Sequence, residues 1–257
     1  MNGRAYYNEI DPFAAAWLRE LIAAGHIAPG DVDERSVVDV KPDDVAGYTQ
    51  CHFFAGIGGW SYALRLAGVP DGSRIWTGSC PCQPLSSAGQ RKGHLDERHL
   101  WPAFHDLIAE RRPSIVFGEQ VASKDGREWL AAVRVDLETL GYRIGAADLC
   151  AAGVGAPHIR QRLYWVADTN RNGLEADAHE AVIRHAADDV GRTGRLGEVG
   201  ASGQWTEPRP SGARPMALGN GLPADVGRLR AYGNAIVPKQ AAEFISAYLE
   251  CERELAA

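Results

Sequence analysis

Gln50-Cys51-His52-Phe53-Phe54-Ala55-Gly56-Ile57-Gly58-Gly59 joins an apolar run to a glycine-rich turn. We predict a central strand over residues 50–55, because a continuous apolar run is typical of a strand that is covered on both faces. A helix is predicted over 60–67, where Gly68 ends it. Glycines lack the Cβ that would keep a ligand away, so the turn could bring its backbone close to a bound group. An ordinary strand-to-helix turn is the alternative interpretation.

The rest of the chain alternates between strand and helix patterns. This alternation predicts an α/β fold with an open, mostly parallel sheet and helices on both faces. A small irregular second lobe is expected where Gly, Arg, Asp and Pro replace the apolar periodicity. The predicted strands cover 6–10, 36–40, 50–55, 74–79, 114–118, 144–149 and 163–167, and the main helices cover 12–24, 60–67, 101–111, 127–140 and 238–254.

The bulk properties limit the classes of protein to which the chain could belong. A length of 257 residues suits one core and a small lobe, so we expect a catalytic and cofactor-binding domain (1–167), the lobe (168–224) and a returning C-terminal segment (225–257). No apolar stretch approaches the roughly 20 residues of a membrane span, which favours a cytoplasmic protein. Five cysteines argue against a disulfide framework. A net charge of −6 excludes a wholly basic surface but permits a local basic cleft.

A cysteine turn, Gly78-Ser79-Cys80-Pro81-Cys82-Gln83-Pro84, follows one of the predicted strands. Ligands of open α/β sheets bind at the carboxyl ends of the strands, so the Cys82 thiol is a candidate nucleophile there. Two other interpretations remain. Cys82 could be a buried structural cysteine, or it could bind zinc together with Cys80, His94 and His99, although Cys-x-Cys is not the usual spacing of zinc ribbons.

Three further charged residues are candidates for the same site. Glu119 follows an apolar strand pattern, where partial desolvation would raise its pKa towards values suited to proton sharing. Arg160 and Arg162 alternate along residues 157–162, which are predicted to start another strand, and they therefore share one face, which suits an anion or a polarised carbonyl. An exposed loop carboxylate and a solvated basic edge are the alternative interpretations.

Taken in order, these segments resemble the DNA cytosine-5 methyltransferases. The family has similar segments in the same sequence: a cofactor loop, a Pro-Cys-Gln nucleophile motif, an Asp-x-Arg-x-x-Leu segment, Glu-Asn-Val, Gln-x-Arg-x-Arg and a final Gly-Asn motif. Two positions differ, with Gln120 in place of Asn and His158 in place of the first Gln. The matching stretches here are Phe54-Ala55-Gly56-Ile57-Gly58-Gly59, Pro81-Cys82-Gln83, Asp96-Glu97-Arg98-His99-Leu100, Glu119-Gln120-Val121, His158-Ile159-Arg160-Gln161-Arg162 and Gly233-Asn234-Ala235-Ile236-Val237-Pro238.

The resemblance implies a reaction and a set of roles. S-adenosyl-L-methionine would bind at the glycine turn, with Leu100 and Asn234 nearby, and would methylate C5 of a cytosine flipped out of double-stranded DNA. Cys82 would add to C6 of the base and Glu119 would contact N3. Arg162, with Arg160 beside it, would hold O2 and a phosphate. No metal is implied, and a monomer is expected. There are two alternatives: the substrate could be RNA, or the protein could be an inactive DNA-binding remnant that still binds the cofactor.

The order of the cofactor-binding strands differs from the family pattern. Between Gly59 and Thr77 there are too few residues for the two strands that the family usually has there. We therefore predict that these strands come first in the sequence, with Glu9 at the ribose and Ser36 or Asp39 near the adenine. Since parallel crossovers are right-handed in about 98% of cases, the helix after Gly59 must then change face or make an unusual connection.

Overall fold

A computed structural model describes residues 3–81, 100–169 and 235–256. These residues contain a seven-stranded sheet of order β2-β1-β3-β4-β5-β7-β6. The first five strands are parallel, and β7 runs antiparallel to both of its neighbours. The prediction of an open, mostly parallel α/β sheet is therefore confirmed. The strands are β1 (Ala5–Asn8), β2 (Gly30–Asp33), β3 (Gln50–Phe53), β4 (Ile75–Gly78), β5 (Ile115–Val121), β6 (Arg143–Cys150) and β7 (Gln161–Asp168).

Five α-helices cover the described part of the sheet: α1 (Pro12–Ala23), α2 (Gly59–Leu66), α3 (Trp101–Arg111), α4 (Lys124–Thr139) and α5 (Pro238–Ala256). The start of α1 follows from its sequence, because the Asp11 carboxylate accepts the N–H groups of Phe13 and Ala14 and proline occupies the first turn. None of the helices in the described residues is long and apolar enough to span a membrane. Nearly all of the predicted lobe at 168–224 lies outside those residues, so the domain division stays a prediction.

The alternating side chains of the parallel strands separate two cores. One face packs against α3 and α4, and the other against α1, α2 and α5. Helix α5 lies on α2, so the last described segment returns to the face that carries the glycine turn. The first face carries Tyr6, Cys51, Trp76 and Val116, and the second carries Ala5, Tyr7, Ile75 and Phe117.

The N-terminal strands join the sheet on one side of β3, and the strand that precedes the cysteine turn joins on the other. This arrangement agrees with the predicted change of strand order. Helices α1 and α2 lie on the same face, yet β1-α1-β2 and β3-α2-β4 run in opposite directions along the sheet. The two connections therefore have opposite hands. The β4-α3-β5 connection runs in the same direction as β3-α2-β4 but on the opposite face, so it has the same hand as β1-α1-β2. Since parallel connections are right-handed in about 98% of cases, β3-α2-β4 is the rare left-handed one.

The predicted strand over 36–40 is wrong. Val37–Asp39 is a turn of 3-10 helix, and the edge strand is β2, at Gly30–Asp33. Val37 and Val40 are both buried whereas Val38 is 53% exposed, which is the three-residue period of a 3-10 turn and not the alternation of a strand. In β2, Gly30 lies against the Ala5 backbone, where a Cβ would collide with the Ala5 carbonyl oxygen. The sequence signal failed because β2 is short, acidic and poor in apolar residues.

The face shared by α1 and α2 also buries a group of polar side chains. His52 is fully buried on β3; its Nδ1 lies 2.8 Å from the Thr77 hydroxyl oxygen and its Nε2 3.2 Å from the Gln50 side-chain oxygen. The imidazole stacks on the Tyr7 ring, and burial lowers the pKa of His52 to about 3. The imidazole is therefore neutral at neutral pH.

Candidate active site

A cleft of about 570 Å³ opens at the carboxyl ends of the parallel strands. It forms there because the chain leaves β1, β3, β4 and β5 in loops that diverge at this edge of the sheet. Many of the residues that the sequence analysis selected line this one cleft. They are Glu9, Ser36, Phe54, Gly56, Leu100, Glu119, Arg160 and Arg162. From the cysteine turn, Ser79, Cys80 and Pro81 also line the cleft.

The glycine turn takes backbone conformations that side chains disfavour. Phe54, Gly56 and Gly58 have positive φ values of 53°, 56° and 82°. A Cβ on Gly56 would meet no protein atom within 4 Å, and Gly56 lines the cleft. The missing side chain therefore leaves room for a ligand. The turn is held from the neighbouring strand, because the Glu9 carboxylate accepts the Gly56 N–H at 2.7 Å and the Asp11 N–H at 2.8 Å.

Glu119 and Arg162 form a buried ion pair inside the cleft. The Arg162 Nε lies 2.5 Å from the Glu119 Oε1, and the two side chains are 20% and 10% exposed. Burial raises the pKa of Glu119, while the nearby charges of Arg162 and Arg160 oppose that rise. Burial, with the like charge of Arg162, also lowers the pKa of Arg160. The carboxyl group is thus placed to share a proton with a polar ligand.

The structure adds two hydrogen-bonded residues that the sequence analysis did not select. The Gln120 side chain donates to the Cys80 carbonyl at 3.1 Å, and its oxygen accepts the Val121 N–H at 2.9 Å. A hydrogen bond from the Ser79 side chain lowers the pKa of Glu119. A polar residue directly after a strand was the available signal for Ser79, but the sequence does not show which strand lies beside it.

The remaining predicted site residues fall in different places. Ile57, Gly58 and Gly59 line a neighbouring cavity of about 840 Å³, and Ala55 is buried beneath the turn. Asp39 is exposed and does not line the cleft, in contrast to Ser36 and Val37, because the 3-10 turn carries it away. Glu119 was predicted at the end of its strand, but β5 continues to Val121 and Glu119 lies within it, opposite Tyr164. Cys82 and Asn234 lie outside the described residues.

The zinc interpretation also falls largely outside the described residues, since Cys82, His94 and His99 are not among them. Across 3–81, 100–169 and 235–256, no group of three or more His, Cys, Asp or Glu side chains could hold a metal ion.

Comparison with known proteins gives a family match in the middle of the chain. Residues 70–194 match the C-5 cytosine-specific DNA methylase family. The chain is 35% identical to the type II methyltransferase M.AplI of Arthrospira platensis over 139 residues, which are 53% of this chain and 39% of the relative. It is 26% identical to M.HhaI of Haemophilus parahaemolyticus over 174 residues, with 52% and 53% covered. The chain thus spans about half or less of the length of the curated relatives it matches.

Two solved structures are similar at a lower level. The S. pombe Dnmt2 methyltransferase has a TM-score of 0.44 and 14% identity, over 81% of this chain and 62% of the other. A Spodoptera frugiperda DNMT2 mutant has a TM-score of 0.43 and 12% identity, over 68% and 52%. The fold assignment rests on the strand order and not on these likenesses.

Proposed function

We propose that this chain, which belongs to the C-5 cytosine-specific DNA methylase family, transfers a methyl group to C5 of cytosine in double-stranded DNA. The observation that carries the proposal is the buried Glu119–Arg162 pair, which shares one cleft with the glycine turn and with Pro81. Pro81 directly precedes Cys82 in the sequence. A proton-sharing carboxyl, a cation and a ligand-binding turn in one cleft are the groups that this chemistry requires.

The cleft fits S-adenosyl-L-methionine as the methyl donor. The space beside Gly56 accepts a ligand close to the backbone, and the Glu9 carboxylate stands beside the turn as an acceptor for ribose hydroxyls. Ser36 and Val37 line the same cleft beyond β2, in the region where the resemblance puts the adenine. When bound, the cofactor supplies the methyl group that replaces the C5 hydrogen of the base.

The side chains of the protein would activate the base. C5 of cytosine is a weak nucleophile, so the Cys82 thiolate would first form a bond to C6 and push electrons into the ring. Glu119, whose pKa is raised by burial, would donate a hydrogen bond to N3 and so stabilise the negative charge that develops there. Arg162 and Arg160 would bind O2 and a nearby phosphate. After C5 loses its proton to a base, the Sγ–C6 bond breaks and the thiolate leaves.

Radiolabelled methyl transfer tests this proposal. We expect the purified protein to label a cytosine-containing DNA duplex from S-adenosyl-L-methionine, and Cys82→Ser to lose this activity. The control is Cys251→Ser, because Cys251 is a half-buried cysteine on α5, away from the cleft. Label found only on RNA would replace DNA with RNA as the substrate. Cofactor binding without label on either nucleic acid would refute the proposed activity and support the inactive remnant.

A further inference from the structure

Strand register places Ser79 beside Glu119. Gly78 on β4 is the partner of Gly118 on β5, so the residue that follows each glycine extends the pair by one position. Both residues continue the face that is covered by α2, because they alternate in phase with Thr77 and Phe117. The two side chains therefore lie next to each other in the cleft, and a hydrogen bond from Ser79 lowers the pKa of Glu119.

A second hydrogen bond fixes the direction of the first. The Trp60 Nε1–H, at the start of α2, donates to the Ser79 Oγ at 2.9 Å. An indole N–H can only donate, so the Ser79 oxygen accepts this bond and its own hydrogen is directed elsewhere. The buried Glu119 carboxylate accepts that hydrogen. The result is a chain from the helix after the glycine turn, through Ser79, to the carboxyl group of the cleft.

We propose that Ser79 is a positioning residue, whose hydroxyl is held as a donor by Trp60 and orients the Glu119 carboxyl toward the N3 atom of the cytosine. This inference rests on the proposed function. Trp60 is well placed for the role because it is itself buried, with its ring stacked on Phe117 and edge-on to Tyr164. The donor at Ser79 is therefore fixed by a rigid side chain and not by solvent.

The other groups that face Glu119 come from β7 and from Arg160, the residue directly before it. Arg162 binds Oε1 directly, and Arg160 and Tyr164 lie on the same side of the strand. The two arginines and Ser79 all lower the pKa of Glu119, against the effect of burial. The positive charges stabilise the carboxylate however its plane is rotated, whereas the Ser79 hydrogen bond favours one orientation of that plane. Ser79 is thus the group whose loss would change both the orientation and the proton affinity of Glu119.

The first test is the pH dependence of methylation by Ser79→Ala. Loss of the donor raises the pKa of Glu119, so the carboxyl stays protonated to higher pH. We expect the alkaline limb of the pH profile of kcat to shift to a pH about one unit higher. The kcat at neutral pH should fall about tenfold, because the carboxyl loses its orientation, and KM for DNA should stay unchanged. Ser79→Thr keeps the hydroxyl and should restore the wild-type limb. Ser114→Ala, an exposed serine before β5, is the control.

A second measurement does not depend on turnover. Infrared titration of the Glu119 carboxyl, with the band identified by its loss in Glu119→Gln, should show a higher midpoint in Ser79→Ala. Trp60→Phe, which keeps an aromatic ring in the packing but has no donor, should give a smaller shift in the same direction.

An unchanged midpoint in both variants would overturn the role of Ser79 even if the wild type methylates DNA. A shifted midpoint in a protein that methylates nothing would support the hydrogen-bond chain and refute only the proposed function.

Discussion

The Glu119–Arg162 pair allows a direct test of how the cleft controls charge. Arg162→Met removes the cation and keeps most of the side-chain volume, so Glu119 loses the partner that lies 2.5 Å away. Removal of one partner from a buried pair costs about 3–5 kcal/mol when the other stays charged. Because the two side chains are 20% and 10% exposed, we expect the lower end, about 3 kcal/mol of unfolding free energy at pH 8.

The same substitution should cost less in acid. Burial already raises the pKa of Glu119, and loss of Arg162 raises it further. A carboxyl whose pKa is higher in the folded than in the unfolded state binds more protons when folded, so its favourable contribution is complete below the unfolded pKa and is lost as the pH rises. Relative to wild type, the Arg162→Met variant should therefore lose stability by up to about 1.4 kcal/mol per pH unit above pH 4.5. At pH 5 the cost should be about 1 kcal/mol.

Urea unfolding at pH 5 and pH 8 measures both values. Glu119→Gln and the double variant complete a double-mutant cycle at each pH. We expect the double variant at pH 8 to be more stable than Arg162→Met, because no unpaired carboxylate remains. Equal costs of Arg162→Met at the two pH values, or no coupling at pH 8, would show that Glu119 is not an ionised partner of Arg162, and would refute this reasoning.

Three further expectations concern the rest of the molecule. Gly118→Ala should lower the unfolding free energy by about 2 kcal/mol, because its Cβ would collide with the Trp165 indole. In thermal melts, Trp165→Phe should relieve this loss, and Gly153→Ala, which has open space around it, should have almost no effect. An unaltered melting temperature for Gly118→Ala would contradict the packing. Burial lowers the pKa of His52 to about 3, well below its unfolded value, so the protein should lose stability as the pH falls from about 6.5. In urea titrations, His52→Gln should reduce the loss of unfolding free energy between pH 6.5 and 5 by about 2 kcal/mol. The same pH dependence of stability in the variant and the wild type would count against a neutral imidazole. Glu9→Ala should weaken S-adenosyl-L-methionine binding about tenfold by calorimetry, whereas Asp39→Ala should not, and the reverse result would move the adenosine site away from the cleft.

Part of the site could be predicted from the sequence because its chemistry is local. A glycine turn after an apolar strand, a carboxylate that follows an apolar run and two alternating arginines each depend on neighbours in sequence. The short segment between Gly59 and Thr77, together with the family resemblance, also predicted that two strands precede the glycine turn. By contrast, the strand predicted over 36–40 was wrong, because a short run of β-branched residues fits both a strand and a 3-10 turn.

The amino-acid sequence by itself determined the fold class and most of the candidate residues, since hydrophobic periodicity and turn chemistry act over a few residues. Only the tertiary structure decided which of them share one cleft, that α2 keeps the face of α1 and makes a left-handed connection, and that Trp60 and Ser79 reach Glu119. These facts depend on strand register and on the face to which each helix packs. Both are set by contacts between residues that are distant in the chain, and no local pattern encodes them.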